Sequence, residues 1–171
     1  MHSIKFKNMN NNGINLFIVD DSLPTLTSLR NYLDNRFGRD LNIFTFLTGS
    51  NALKKINKNT GIVILDSNLK KENGNEILRS IKILNPGTKV IMLGSNEEIG
   101  IAIDAFKKGA TDYVFRGRRT WKKISAMVKN IITYPIRTMG REFAVSKYMA
   151  MFLLTFLAVG VVAYSILYWI K

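Results

Sequence analysis

The stretch INLFIVDDSLPTL, residues 14–26, decides the fold. Ile14–Val19 is an apolar run of strand length. Asp20-Asp21-Ser22 follow at once, and Pro24 then opens a helical stretch to Phe37 with Leu26, Leu29 and Leu33 at helix spacing. Proline suits a first helical turn, and either Asp21 or Ser22 can cap it. A strand therefore runs straight into a helix, with two carboxylates at the junction.

The same unit recurs along the chain. Leu41–Leu47 reads as a second strand and Ser50–Asn57 as a short helix with Leu53 and Ile56 inward. Ile62–Leu65 is a third strand, fully apolar and ending on Asp66. Glu76–Leu84 is a helix, broken by Asn85-Pro86-Gly87. Lys89–Leu93 is a fourth strand, followed by a helix over Glu97–Lys108 that Gly109 terminates as a C-cap. Asp112–Phe115 is a fifth, short strand, and Arg118–Thr133 a last helix stopped by Tyr134-Pro135. Strands without polar alternation are buried on both faces, so the expectation is an α/β fold, a doubly wound five-stranded parallel sheet over residues 14–133. Such a sheet binds ligands at the C-terminal ends of its strands.

Three carboxylates fall at those ends: Asp20 and Asp21 after the first strand, and Asp66 on the third. With the first strand central and the third beside it, they meet in one acidic pocket. Like charges so close repel unless a cation neutralises them. An all-oxygen set without His or Cys suits a hard divalent ion such as Mg²⁺. Asp21 also has the plainer role of a helix cap open to it.

Composition narrows the chemistry further. The 171 residues hold no cysteine and one histidine, His2. That excludes a disulfide scaffold and a thiolate zinc site, and leaves a histidine-based triad or haem site without residues. The net charge is +13, which suggests an anionic partner, nucleic acid or a lipid surface. Its placement favours lipid. Residues 1–115 carry 15 basic and 11 acidic side chains, a net of +4, whereas residues 116–147 carry nine basic ones against Glu142 alone.

Beyond that basic stretch, Met149 to Ile170 is a run of 22 residues with no charge and no proline. As a helix it is about 33 Å long, against a hydrocarbon core of roughly 30 Å. Its polar members are Thr155 and Ser165, and Tyr148 at one end and Tyr168 with Trp169 at the other suit the interfacial belts. A buried core helix is the competing reading, but such helices are usually shorter and show a polar face. The expectation is a transmembrane helix. The positive-inside bias then makes the chain a single-pass, tail-anchored protein of the inner (cytoplasmic) membrane, with its N-terminal domain cytoplasmic. Residues 134–148 read as a basic juxtamembrane connector, with Arg137, Arg141 and Lys147 on anionic headgroups, or as a plain continuation of the membrane helix. Residues 1–13, MHSIKFKNMNNNG, read as a flexible Asn-rich tail. No helix-turn-helix or zinc module follows the last helix, so no nucleic-acid partner is expected.

Over residues 14–133 the chain resembles the receiver domain of bacterial response regulators. The resemblance rests on Phe17-Ile18-Val19-Asp20-Asp21-Ser22, on Ile64-Leu65-Asp66 with Leu69 and Gly74 after it, and on Gly109-Ala110-Thr111-Asp112-Tyr113-Val114. It implies a flavodoxin-like strand order 2-1-3-4-5. It implies that Asp66 is the phospho-acceptor, charged by a histidine kinase or phosphotransfer protein. Asp20, Asp21, Asp66 and the backbone carbonyl of Asn68 would hold Mg²⁺. It also implies no enzyme beyond self-phosphorylation and self-dephosphorylation.

The departures from that family lie in the part that senses the phosphoryl group. The family usually ends its fourth strand with Thr or Ser; here stands Gly94, with Ser95 next. It ends its fifth strand with Lys then Pro; here stand Arg116 and Gly117. Arginine keeps the charge, but its planar fork differs from a compact ammonium. Tyr113 matches the family's switching aromatic, and a partly buried core aromatic is its plainer role. A haloacid-dehalogenase-type enzyme would place a second Asp two residues after the first, where Asn68 stands. The function expected is a membrane-anchored phosphorelay receiver with a degenerate switch, signalling to a cytoplasmic protein partner. The alternative is a non-phosphorylated pseudo-receiver acting as a membrane-tethered adaptor. Asp20, Asp21 and Asp66 favour the first, Gly94 and Arg116 the second.

Overall fold

The computed structural model describes residues 13–95 and 99–169, the side chains of 99, 134–150, 153, 163, 164 and 167 excepted. It divides into two units, Met1–Lys129 and Asn130–Lys171. The first contains β1 (Ile14–Val19), α1 (Leu23–Phe37), β2 (Leu41–Phe46), α2 (Gly49–Leu53), β3 (Thr60–Asp66), β4 (Asn68–Leu69), β5 (Glu72–Asn73), α3 (Gly74–Leu84), β6 (Lys89–Gly94), α4 (Ile99–Lys107), β7 (Asp112–Phe115) and the start of α5 (Thr120–Trp169).

Five strands pair in the order β2-β1-β3-β6-β7, every pair parallel. With only these strands counted, that is the 2-1-3-4-5 order implied by the resemblance. The register positions the chemistry. Val19 pairs with Leu65, so Asp20 and Asp66, each one residue further on, come level at the same edge of the sheet. Asp66 pairs with Leu93, and Gly94 with Phe115, which brings Arg116 to that edge as well.

Alternation along the strands splits the core into two layers. Phe17, Val19, Val63, Leu65, Val90 and Met92 pack with Ile77, Leu78 and Ile81 of α3 and with Ala102 and Ala105 of α4. Leu16, Ile18, Ile62, Ile64, Ile91 and Leu93 point the other way. They are as fully buried, as are Leu29 and Leu33 of α1 and Ile124 and Val128 of α5. Each such side chain contributes about 1.5–3 kcal/mol.

The punctuation follows local chemistry. Ser22, not Asp21, caps α1: its Oγ accepts the Thr25 N–H at 3.4 Å, with Pro24 in the first turn. Gly109 ends α4 at φ +94°, where the Ala110 N–H reaches back to the Ala105 carbonyl at 2.9 Å. A side chain is strained in that conformation, which is why glycine stands there.

The structure departs from the sequence expectation in several places. Helix α2 stops at Leu53 rather than Asn57, because Asn57 closes a turn with Thr60, its N–H donating to Thr60 Oγ1 at 3.1 Å. An unexpected hairpin, β4–β5, stands between Asp66 and α3. The expected start of the fourth helix at Glu97 lies outside the described residues. Helix α5 starts at Thr120, whose Oγ1 accepts the Gly117 N–H at 2.7 Å. It does not end at Tyr134-Pro135 but continues to Trp169. Proline removes one backbone hydrogen bond from a helix interior, which disfavours the helix without always ending it.

The second unit is helical through Trp169, residues 134–148 included. The connector's side chains, Arg137, Arg141 and Lys147 among them, lie outside the described residues, as do those of 1–12. Among the described residues, no helix is long and apolar enough to cross a membrane. The transmembrane helix expected over Met149–Ile170 is therefore not part of the described fold.

Candidate functional site

The chain leaves β1 and β3 at the same level, and both strands are apolar until the acid that follows or ends them. Burial comes with that position: Asp20 is 2 % and Asp66 6 % exposed, with Asp21 half-buried beside them. One carboxylate oxygen from each of the three lies within 4.8 Å of the other two.

Each carboxylate is held from behind. Asp20 Oδ1 accepts the Ser22 N–H at 2.8 Å, so the residue that caps α1 also orients the first acid. Asp21 Oδ2 accepts the Lys70 N–H at 2.9 Å, across 49 residues of chain. Asp66 Oδ1 accepts the Asn68 N–H at 3.3 Å. Asn68 opens β4, and its N–H faces the Asp66 carboxylate.

Arg116 closes the pocket. Its Nη2 lies 2.8 Å from Asp20 Oδ2 and 3.0 Å from Asp66 Oδ2, so one nitrogen bridges both buried acids. Its backbone N–H donates to the Gly94 carbonyl at 2.7 Å, which pins the end of β7 to the end of β6. Burial pushes the Asp66 carboxyl above its ordinary range, and the nearby Asp20 charge adds to this. The Arg116 charge and the hydrogen bonds from Arg116 and Asn68 oppose the rise without cancelling it. Burial likewise opposes the charge on Arg116, but the two carboxylates outweigh it and hold its pKa above the usual value.

Of the four residues assigned to phosphoryl contact and switching, two, Gly94 and Tyr113, meet at one place. Gly94 is buried at the end of β6, and a Cβ built on it would stand 1.9 Å from the Tyr113 hydroxyl and 2.5 Å from Ser67 Oγ. The Tyr113 ring is turned inward, 8 % exposed, and its hydroxyl donates to Ser67 Oγ at 3.3 Å. It packs beside Phe115 with ring centroids 5.2 Å apart. Arg116 sits on the carboxylates as described. Ser95 lies one residue beyond the strand end and is half-buried.

Two participants escaped the sequence reading. Ser67 follows Asp66 directly, and its hydroxyl accepts the hydrogen bond of the inward Tyr113. Glu72, in β5, reaches back to the start of α2 and accepts hydrogen bonds from the Gly49 and Ser50 N–H groups and the Ser50 hydroxyl. Burial works against its ionisation, but the Ser50 and Gly49 donors prevail and hold its carboxyl below the ordinary glutamate range. A carboxylate at a helix N-terminus is favourable, and this one fastens the hairpin after Asp66 to the start of α2. An acid six residues after Asp66 carries no period or motif that announces it.

Comparison with known proteins agrees with this geometry. The family described as "Response regulator receiver domain" matches residues 16–126. The Chemotaxis protein CheY of Listeria monocytogenes is 28% identical over 120 residues, covering 68% of this chain and 97% of that protein. The Transcriptional regulatory protein ZraR of Escherichia coli K12 is also 28% identical, over 109 residues, but this chain spans only 24% of its length. Among solved structures, the "BeF3 Activated DrrB Receiver Domain" superposes with a TM-score of 0.60 at 28% identity, covering 70% of this chain and 97% of that one. A response regulator receiver domain protein from Clostridium thermocellum superposes with a TM-score of 0.62 at 25% identity, covering 72% and 98%.

Proposed function

The chain belongs to the response regulator receiver domain family of two-component signalling, and on that premise we propose that Asp66 accepts a phosphoryl group with Mg²⁺ bound beside it. One observation carries the reading: Asp20, Asp21 and Asp66 gather at the strand ends with ligand oxygens within 4.8 Å of one another. That donor set is all oxygen and fits a hard divalent cation. Asp20, Asp21, Asp66 and the Asn68 backbone carbonyl are the groups that would hold it. Held there, such an ion would supply positive charge to offset that of the phosphoryl oxygens and the carboxylates.

The chain's own groups do the rest. The Ser22 and Lys70 N–H groups keep Asp20 and Asp21 turned into the pocket. The N–P bond of a phosphohistidine on a histidine kinase or phosphotransfer protein breaks as an Asp66 carboxylate oxygen bonds to phosphorus, and the imidazole leaves. Water later cleaves the acyl phosphate and restores the carboxylate. Gly94 offers no hydroxyl to the phosphoryl group, and Tyr113 is already turned inward over it. Both support a switch altered from the family pattern, read out by a protein partner.

The full chain incubated with Mg²⁺ and a small phosphodonor is expected to incorporate phosphate as a labile acyl phosphate, and Asp66→Asn is expected to abolish it. Labelling that survives in Asp66→Asn, or never appears in the unaltered chain, would overturn the acceptor role and return the chain to the adaptor reading.

Membrane anchoring through 149–170 is the finer part of the proposal. Its support is the charge-free sequence of the run and the exposure of its described apolar side chains, from Ile166 at 54% to Trp169 at 90%. The Thr155 hydroxyl donates to the Phe152 carbonyl at 2.8 Å and the Ser165 hydroxyl to the Val161 carbonyl at 2.9 Å. A lipid environment requires polar groups to be satisfied within the helix in this way. Expressed in bacterial cells, the chain is expected in the alkaline-resistant membrane fraction, and a chain lacking 149–171 in the soluble one. Equal partitioning of the two would remove the anchor, and with it the inner-membrane location and the cytoplasmic orientation.

A further inference from the structure

We propose that α4 is a lid on α3, held closed by a polar latch of Asn75, Asp104, Lys108 and Glu76 rather than by apolar burial, and that it opens while the rest of the receiver unit stays folded. The apolar hold on α4 is small. Its buried side chains, among the described residues, are Ala102 and Ala105, whereas α3 buries Ile77, Leu78 and Ile81. Hydrophobic stabilisation follows the apolar area removed from water, and alanine brings little of it. The larger side chains of α4 face solvent: Ile103 is 54% exposed and Phe106 51%.

Polar contacts supply the rest. Asn75, in the first turn of α3, is 5% exposed, and its Nδ2 donates to Asp104 Oδ2 at 3.0 Å and to the Ile101 carbonyl at 3.4 Å. From the solvent side, Lys108 Nζ meets the same Asp104 oxygen at 3.1 Å and Glu76 Oε1 at 2.9 Å. The hydrogen bond from Lys108 holds the Glu76 carboxyl below the ordinary glutamate range, and Glu76 in turn holds the Lys108 ammonium above its usual pKa. Exposed ion pairs alone hold little, so the buried amide gives the latch its position. That amide also limits the hold. Its Oδ1 is buried with no hydrogen-bond partner, and turning the amide over would set this oxygen against the Asp104 carboxylate. A dry, unpartnered acceptor is costly. Moving α4 off α3 loses the Nδ2 bond but lets water reach Oδ1, two effects of similar size and opposite sign. Helix α4 therefore sits near balance between closed and open, with the ion pairs deciding.

Hydrogen exchange of the full chain, read by mass spectrometry on peptides from α4 and from α1, tests the lid. In Asp104→Ala the α4 amides are expected to exchange about tenfold faster or more, with those of α1 around Leu29 and Leu33 unchanged. In the unaltered chain, raising NaCl from about 0.05 M to about 0.5 M is expected to speed the α4 amides alone, and Asp104→Ala should lose that response. Asn75→Leu removes the unpartnered oxygen and adds apolar contact, so it is expected to slow α4 exchange by about threefold or more. Equal acceleration of α1 and α4 in Asp104→Ala would mark an ordinary loss of stability and overturn the lid, as would α4 exchange indifferent to both salt and Asp104. Unchanged or faster α4 exchange in Asn75→Leu would overturn the balance set by Oδ1. Neither Mg²⁺ nor phosphate enters the measurement, so a chain that never labels on Asp66 leaves this result untouched.

Discussion

Gly74→Ala is expected to destabilise the receiver unit by about 3 kcal/mol and to suppress labelling of Asp66. The residue opens α3 directly after the β4–β5 hairpin, and its N–H donates to the Ser67 carbonyl at 3.3 Å. A Cβ there would stand 2.6 Å from the Asp66 carbonyl oxygen, 2.7 Å from Ser67 Cα and 2.7 Å from the Ser67 carbonyl oxygen. All three are backbone atoms, so no rotamer change relieves the contact. Either α3 withdraws, which opens the layer built on Ile77, Leu78 and Ile81, or the Asp66–Ser67 backbone moves and takes the Asp66 carboxylate with it. Gly100→Ala in α4 is the control, because nothing lies within 4 Å of its Cβ. There the change should be neutral or stabilise by up to about 1 kcal/mol, through helix propensity alone. Urea unfolding of both variants, followed by tryptophan fluorescence, gives the comparison. Trp121 reports the receiver unit, its indole N–H donating to Ser28 Oγ of α1 at 3.2 Å. Equal midpoints for the two variants would mean that the close approach at Gly74 does not govern this loop.

What the sequence discloses about the site depends on whether a side chain's role follows from a period. Strand runs such as Ile62–Leu65 and helix spacings such as Leu26, Leu29 and Leu33 report burial, and burial calls for a parallel sheet covered on both faces, while the strand order comes from the family resemblance alone. Asp20 and Asp66 are legible for the same reason: each follows or ends an apolar run, and the parallel register brings such ends level. Roles that depend on long-range contact are not legible. The Asp21–Lys70 and Glu72–Gly49 hydrogen bonds join residues far apart in the chain. The two-residue strands of the hairpin are too short to show alternation. The extent of α5 was hidden for another reason. Proline at 135 argues for a helix end, yet the flanking residues have helical propensity of their own, and the backbone continues to Trp169. Arg116 was legible as a charge at the right strand end, but not as a group already lying on the acids.

Gly94→Thr, which restores the residue type the family usually carries, is expected to destabilise the chain by about 2 kcal/mol rather than repair it. The space is already taken. The Tyr113 hydroxyl lies 1.9 Å and Ser67 Oγ 2.5 Å from where the new Cβ would be, and Tyr113 Cζ 2.8 Å. Unlike Gly74, the obstacles here are ends of side chains, so the molecule has a way out: Tyr113 swings to solvent. That movement breaks the Tyr113–Ser67 hydrogen bond and exposes a ring now 8 % accessible, which is the source of the cost. Gly94 and inward Tyr113 are therefore one feature, a tyrosine occupying the volume that a β-hydroxy residue would need. The consequence is a coupling that a double-mutant cycle can read. With Tyr113→Ala as background the Gly94→Thr penalty should largely vanish, giving an interaction energy of about 1–3 kcal/mol. Tyr113 in the single Gly94→Thr variant should also become reactive toward a solvent-borne nitrating reagent, while in the unaltered chain it should be protected. Additive penalties in the cycle, or a protected Tyr113 in Gly94→Thr, would show that the two positions do not share that space. If they do share it, the missing hydroxyl at position 94 and the fixed tyrosine cannot be restored to the family pattern by one substitution. That part of the receiver then has to be rebuilt as a pair, with Tyr113 freed before a threonine at 94 has room beside Ser67.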